Sequence, residues 1–178
     1  MTVDRGLLRA CLDQAPAQPA TALWRAVEVG HLVGQSALPL AGRGLDLGCG
    51  DGRVTELVSE ELGATWSLTG LDSDEEELGL AADCPLYDTL LHGDGSFVDA
   101  PDGSFDFVFS NSVLEHVDEL EPLLHEVGRV LRPGGRCVFT VPSDRFHENL
   151  GEPDLLGRLA TGASDRLSYH RALDRRLA

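Results

Sequence analysis

"LDLGCGDGR", residues Leu45–Arg53, decides how the rest of the chain is read. An apolar run carrying one aspartate, Asp46, gives way to glycines at every second position, Gly48, Gly50 and Gly52. A segment with helical patterning follows. Glycine lacks a Cβ, so it adopts positive φ without penalty and lets another group approach the backbone. A tight packing turn would account for one such glycine. Three in alternation, between a buried strand and a helix, point to a backbone cleared for a ligand.

The pattern repeats outward from that turn. "RVTELVSEELG" places Val54, Leu57, Val58 and Leu62 on one helical face and stops at Gly63. "TWSLTGLD" reads as the next strand, "SDEEELGLAADC" as a short acidic helix closed before Pro85, and "YDTLLHGD" as a third strand. "SFDFVFSNS" is an apolar fourth strand entered from the turn "PDGS". In "VDELEPLLHEVGRVLRPGG" a helical face carries Leu120, Leu123, Leu124, Val127, Val130 and Leu131. Pro122 belongs in its first turn, where a missing N–H does least harm, and "PGG" is expected to end it. "RCVFTVPS" is a fifth strand. Strands alternating with helices predict an α/β fold, Rossmann-like and doubly wound, with a mostly parallel sheet of about five strands. Upstream, "TALWRAVEVGHLVGQ" is roughly helical in spacing, with Thr21 as its cap. The expected organisation is a mobile N-terminal segment over 1–20, the α/β domain with its N-terminal helix over 21–142, and a C-terminal tail over 143–178.

The charge narrows the range of partners. Thirty acids face 14 bases, a net charge of −16, and every one of those bases is arginine. Nucleic acid and anionic membranes repel such a surface, so neither is expected as a partner. The four cysteines, Cys11, Cys49, Cys84 and Cys137, include no C-x-x-C pair, and the six histidines show no metal-ligand spacing. No metal site is expected. The N-terminus has acids and prolines where a leader peptide needs an apolar run, and no stretch approaches the ~20 apolar residues of a membrane helix. A cytoplasmic protein with reduced thiols is the resulting expectation.

The acids at the strand ends specify the ligand. In doubly wound sheets ligands bind beyond the carboxyl ends of the strands. Dinucleotide folds show G-x-G-x-x-G, whereas this spacing is G-x-G-x-G with Asp46 two residues before the first glycine. A carboxylate there suits an ammonium group better than a pyrophosphate. Asp72 ends the second strand, where an acid accepts ribose hydroxyls, and Asp94 closes the third, within reach of an adenine amine. Amine, ribose diol and adenine together describe S-adenosylmethionine better than NAD.

With these residues in view, the sequence resembles the class I S-adenosylmethionine-dependent methyltransferases. "LDLGCGDGR", "LTGLDSD", "LHGDGSF", "PDGSFDFVFSNSVLEHV" and "RVLRPGGRCVFTVPS" occur in that family's order, over about residues 40–142. The resemblance implies that Asp46, Gly48, Cys49 and Gly50, with Gly52 completing the turn, surround the methionine part. It implies that Asp72 binds the ribose, that Ser73 lies beside the adenine, and that Asp94 and Gly95 face it. Asn111 and Ser112 are implied to line the methyl-transfer side. His116 is the candidate catalytic residue, orienting or deprotonating an acceptor; the competing reading is that Glu115 and His116 shape a turn into the next helix. Trp24 is either a packing residue or part of a helix covering the pocket.

The family usually adds a C-terminal antiparallel strand pair, which the tail from Ser143 does not show in its sequence. The fold is therefore expected to lack that pair and the tail to be shortened. An oligomer or partner would then cover the strand-five edge. The function expected is methyl transfer to an O, N or C nucleophile of a small-molecule acceptor. The alternatives are a non-catalytic cofactor-binding module within an assembly and, on weaker grounds, an NAD(P)-dependent oxidoreductase.

Overall fold

The computed structural model describes residues 4–142, Ser36 apart. The elements below belong to the unit that ends at Val141. Residues 143–178 lie outside the described residues, and with them the C-terminal tail and the question of a further strand pair.

Five strands form one parallel sheet: β1 (Ala41–Leu47), β2 (Thr65–Asp72), β3 (Tyr87–His92), β4 (Phe105–Asn111) and β5 (Leu131–Thr140). Their order is β3-β2-β1-β4-β5. The chain begins in the middle and reverses direction after β3, so the ends of β1 and β4 flank a switch point. Register at the ligand-facing end pairs Leu47 with Leu71 and Asp72 with His92.

The three central strands, β2, β1 and β4, are buried on both faces, as in other parallel sheets, whereas the edge strands β3 and β5 hold no buried residue. On one face Leu68, Phe107 and Phe109 pack with helices α1 (Arg5–Gln14), α2 (Pro19–Gln35) and α3 (Arg53–Leu62). On the other, Leu45, Leu47, Leu71 and Val108 pack with Leu123, Val127 and Val130 of α5 (Leu120–Val130). Helix α4 (Glu75–Ala81) links β2 to β3. Strand alternation thus sends Leu45 and Leu47 to one core and leaves Asp46 pointing into the opposite face.

Three local expectations are corrected. Residues 5–14, expected within a mobile segment, form helix α1: Asp4 caps it by accepting the Gly6 and Leu7 N–H groups, and Leu7 and Cys11, one turn apart, bury against α2. Thr21 does not cap α2. The helix starts at Pro19, whose fixed φ suits a first helical position, and the Thr21 hydroxyl donates to Gln18 Oε1 instead. Finally, α5 stops at Val130 and the chain enters β5 directly. Pro133–Gly135 lies inside that strand as an irregularity, for pairing jumps from Phe105–Leu131 to Phe107–Arg136. Pro122 does occupy the first turn of α5. Among the described residues, no helix is long and apolar enough to cross a membrane.

Candidate functional site

The glycine turn is held from both sides. Gly48 and Cys49 donate their N–H groups to the Leu71 carbonyl at 2.7 and 3.1 Å, and Gly50 donates to Asp72 Oδ2 at 2.8 Å. Gly48, Gly50 and Gly52 all have positive φ, at 73°, 53° and 80°. Their surroundings differ. A Cβ on Gly48 would lie 2.3 Å from Val113 Cγ2, and one on Gly52 would lie 2.7 Å from the Tyr87 ring. A Cβ on Gly50 would meet nothing nearer than Glu77 Oε2 at 3.9 Å. Two of the three glycines therefore make room for protein side chains, and only Gly50 borders open space.

A cleft of about 720 Å³ lies beyond the ends of β1, β2 and β3. Gly48, Asp72, Ser73, Asp94 and His116 of the expected site residues line it. Asp72 presents a carboxylate whose two oxygens already accept neutral backbone donors, Gly50 N and Asp74 N. Asp94 accepts both the hydroxyl and the N–H of Ser96, and these bonds hold its carboxyl below the usual carboxylate range. The Ser73 carbonyl lies 3.1 Å from His92 Nε2. His116 Nε2 sits 4.0 Å from Glu115 Oε1 on a short 3₁₀ turn, Leu114–His116.

Asp46, Cys49, Gly50, Gly52, Gly95, Asn111 and Ser112 are not among the residues lining this cleft. Asp46 is buried. Its carboxylate is 1% exposed and lies beneath the turn, where Oδ2 accepts the Thr55 and Tyr87 hydroxyls, each at 2.6 Å. Burial raises its pKa to about 6, against the lowering effect of those two bonds. It ties α3 and the start of β3 to β1. Cys49 is buried, its thiol pushed up by burial and by the Asp46 and Asp72 carboxylates. Gly95 is packed against Leu47 and Leu123, with no space for a side chain.

Asn111 and Ser112 face another network. Asn111 Oδ1 accepts the Thr140 hydroxyl, and the Ser112 hydroxyl donates to Glu28 of α2 at 3.0 Å. Ser112, at φ 55°, is the one non-glycine residue with positive φ among those described. Burial raises the Glu28 pKa, opposed by hydrogen bonds from Ser112, Trp24 and Asn111. Sequence reasoning missed Thr55, and it missed Glu28 and Tyr87, whose partners are remote in sequence. It also missed the far wall of the cleft, which includes Val113, Val117, Asp118, Glu119 and Pro122. Their position directly after the fourth strand was the available signal.

The residues present fit an adenosyl cofactor. Carboxylates of Asp72 and Asp94 line the cleft beyond the ends of β2 and β3. Among the described residues no group of three or more His, Cys, Asp or Glu could hold a metal ion.

Comparison with known proteins agrees with this architecture. Residues 45–139 match the family described as methyltransferase domain, and the chain belongs to that family. A demethylmenaquinone methyltransferase of Listeria monocytogenes is 34% identical over 103 residues, covering 54% of this chain and 44% of the relative. The chain thus spans less than half the length of that relative. Among solved structures, an S-adenosylmethionine-dependent methyltransferase from Mesorhizobium loti aligns with a TM-score of 0.52 at 29% identity, over 61% of this chain and 51% of the other. The [4+2]-cyclase SpnF aligns with a TM-score of 0.57 at 27% identity, over 65% and 44%.

Proposed function

We propose that the cleft binds S-adenosylmethionine and that the protein transfers its methyl group to an O, N or C nucleophile of a small-molecule acceptor. The observation that carries this reading is Asp72: a cleft-lining carboxylate at the end of β2, held by the glycine turn at the end of β1. When bound, the cofactor supplies a methyl group on a sulfonium, which leaves its bonding electrons on sulfur when a nucleophile attacks. The protein has no covalent chemistry to do; it positions the partners and excludes water. In this reading Asp72 accepts ribose hydroxyls, Ser73 and Asp94 border the base, and Gly48 lets Val113 pack onto the turn at the cleft wall. His116, on the wall contributed by the segment after β4, faces the acceptor. Asp46 acts from beneath by fixing the turn. This reading keeps the cytoplasmic setting expected from the sequence.

The test is incubation with methyl-labelled S-adenosylmethionine and a panel of neutral and amine-bearing small molecules, with demethylmenaquinone included because of the relative named above. Label in an acceptor together with S-adenosylhomocysteine, both lost in D72A, is the expected result. Cofactor bound without label transfer to any member of the panel would contradict transfer and leave a binding module.

A further inference from the structure

Glu28 stands upstream of residues 45–139, which match the methyltransferase domain, yet it is tied to the end of β4. Its Oε1 accepts the Ser112 hydroxyl at 3.0 Å, and Trp24 and Asn111 donate to the same carboxylate. Asn111 accepts the Thr140 hydroxyl at 2.8 Å, and the Ser112 N–H donates to the Thr140 carbonyl at 3.0 Å. Helix α2 and the ends of β4 and β5 thus meet at Ser112. None of Glu28, Asn111, Ser112 and Thr140 lines the cleft, but Val113, the next residue, does. Val113 packs on Gly48 of the glycine turn, and its carbonyl accepts the His116 N–H at 2.8 Å. His116, Val117, Asp118 and Glu119 continue the same wall. The wall therefore leaves β4 through Ser112, whose left-handed backbone, φ 55°, is disfavoured for a residue with a Cβ. Such a conformation persists only where its surroundings impose it.

We infer that Glu28 is a positioning residue for cofactor binding: by holding the Ser112 hydroxyl it keeps Ser112 left-handed and sets Val113, with the wall that follows, against the glycine turn. The inference rests on the cofactor assignment above. Glu28 acts through Ser112 and not by lining the cleft. Without the tie, Ser112 relaxes toward ordinary backbone, Val113 moves off Gly48, and the wall loses its place. A hydrogen bond to a charged group of this kind is expected to contribute about tenfold to cofactor affinity. The N-terminal helix α2 is then part of the binding machinery, although it lies outside the residues that match the family.

The experiment is calorimetric titration of the full chain with S-adenosylmethionine, on wild type, E28Q, E28A, S112A and E28A/S112G, at a temperature where circular dichroism shows the titrated variant folded. E28Q keeps an acceptor for the hydroxyl and is expected to bind within about twofold of wild type, and E28A about tenfold more weakly. S112A removes the same tie while leaving Glu28 in place; it is expected to match E28A and carries the test if E28A does not fold. Glycine takes positive φ without a side-chain tie, so E28A/S112G is expected to recover to within about threefold of wild type. A role confined to packing α2 would not be rescued at position 112. E28A or S112A binding like wild type, E28Q binding as weakly as E28A, or E28A/S112G binding no better than E28A would each overturn the inference and leave the cofactor assignment standing. No saturable binding by the wild-type chain would overturn the assignment and the inference together.

Discussion

Asp72 Oδ2 accepts the Gly50 N–H at 2.8 Å, joining the end of β2 to the middle of the turn that leaves β1. Its other oxygen accepts the Asp74 N–H at 2.9 Å, at the entry to α4. One carboxylate thus fixes both loops that border the cleft. D72A removes the acceptor from both, and a part-buried N–H left without a partner costs about 1–3 kcal/mol. The urea midpoint of D72A is expected to fall accordingly. An unchanged midpoint would mean that the turn holds its shape without Asp72.

The glycines of the turn separate by what surrounds them. G50A places a methyl in open space and pays only for left-handed backbone, about 1–2 kcal/mol. G48A pays that and must also displace Val113, whose Cγ2 would be 2.3 Å away; overpacking of this kind adds about 1–3 kcal/mol. Thermal denaturation should therefore rank G50A above G48A in stability. The opposite order would refute the packing role assigned to Gly48.

Asp46 gives a pH dependence of known sign. Its folded pKa of about 6 lies above the ordinary carboxyl value because burial disfavours the charged form. The neutral acid therefore favours folding at low pH, and that contribution is lost as pH rises through about 6, on the order of 3 kcal/mol in all. D46N cannot ionise. Relative to wild type, it should gain stability between pH 4 and pH 7, measured as the difference in urea midpoints. A difference constant across that range would contradict the assignment.

Glu28 tests the second network in the same way. Its raised pKa means that ionising it also costs stability as pH rises. E28Q keeps an acceptor for the Ser112 hydroxyl and should stay close to wild type, improving relative to it as pH rises out of the ordinary carboxyl range. E28A leaves Ser112 unpaired and should lose about 1–2 kcal/mol. Equal denaturation midpoints for E28Q and E28A would show that the Ser112 contact contributes nothing.

Much of this was legible in the sequence, for identifiable reasons. β2 runs over "TWSLTGLD" because its alternation and the Gly63 stop before it leave little choice. Asp72 and Asp94 could be placed beside one cleft because a parallel sheet brings all strand ends to one side. The burial of Asp46 was not legible because β1 is buried on both faces: alternation separates Asp46 from Leu45 and Leu47 but does not say which face holds the ligand. Glu28 was invisible because its partner Ser112 lies 84 residues away. Helix α1 was hidden by the prolines that follow it, although Leu7 and Cys11 already carried a one-turn apolar spacing. In the last case the sequence "PGG" signalled a break, but the break falls within β5 and not at the end of α5.

The most direct test of the central claim is calorimetric titration of the intact chain with S-adenosylmethionine, alongside D72A. The account predicts saturable binding at one site per chain, weakened at least tenfold by D72A. No saturable heat with the wild-type protein, or binding that D72A leaves unchanged, would contradict it.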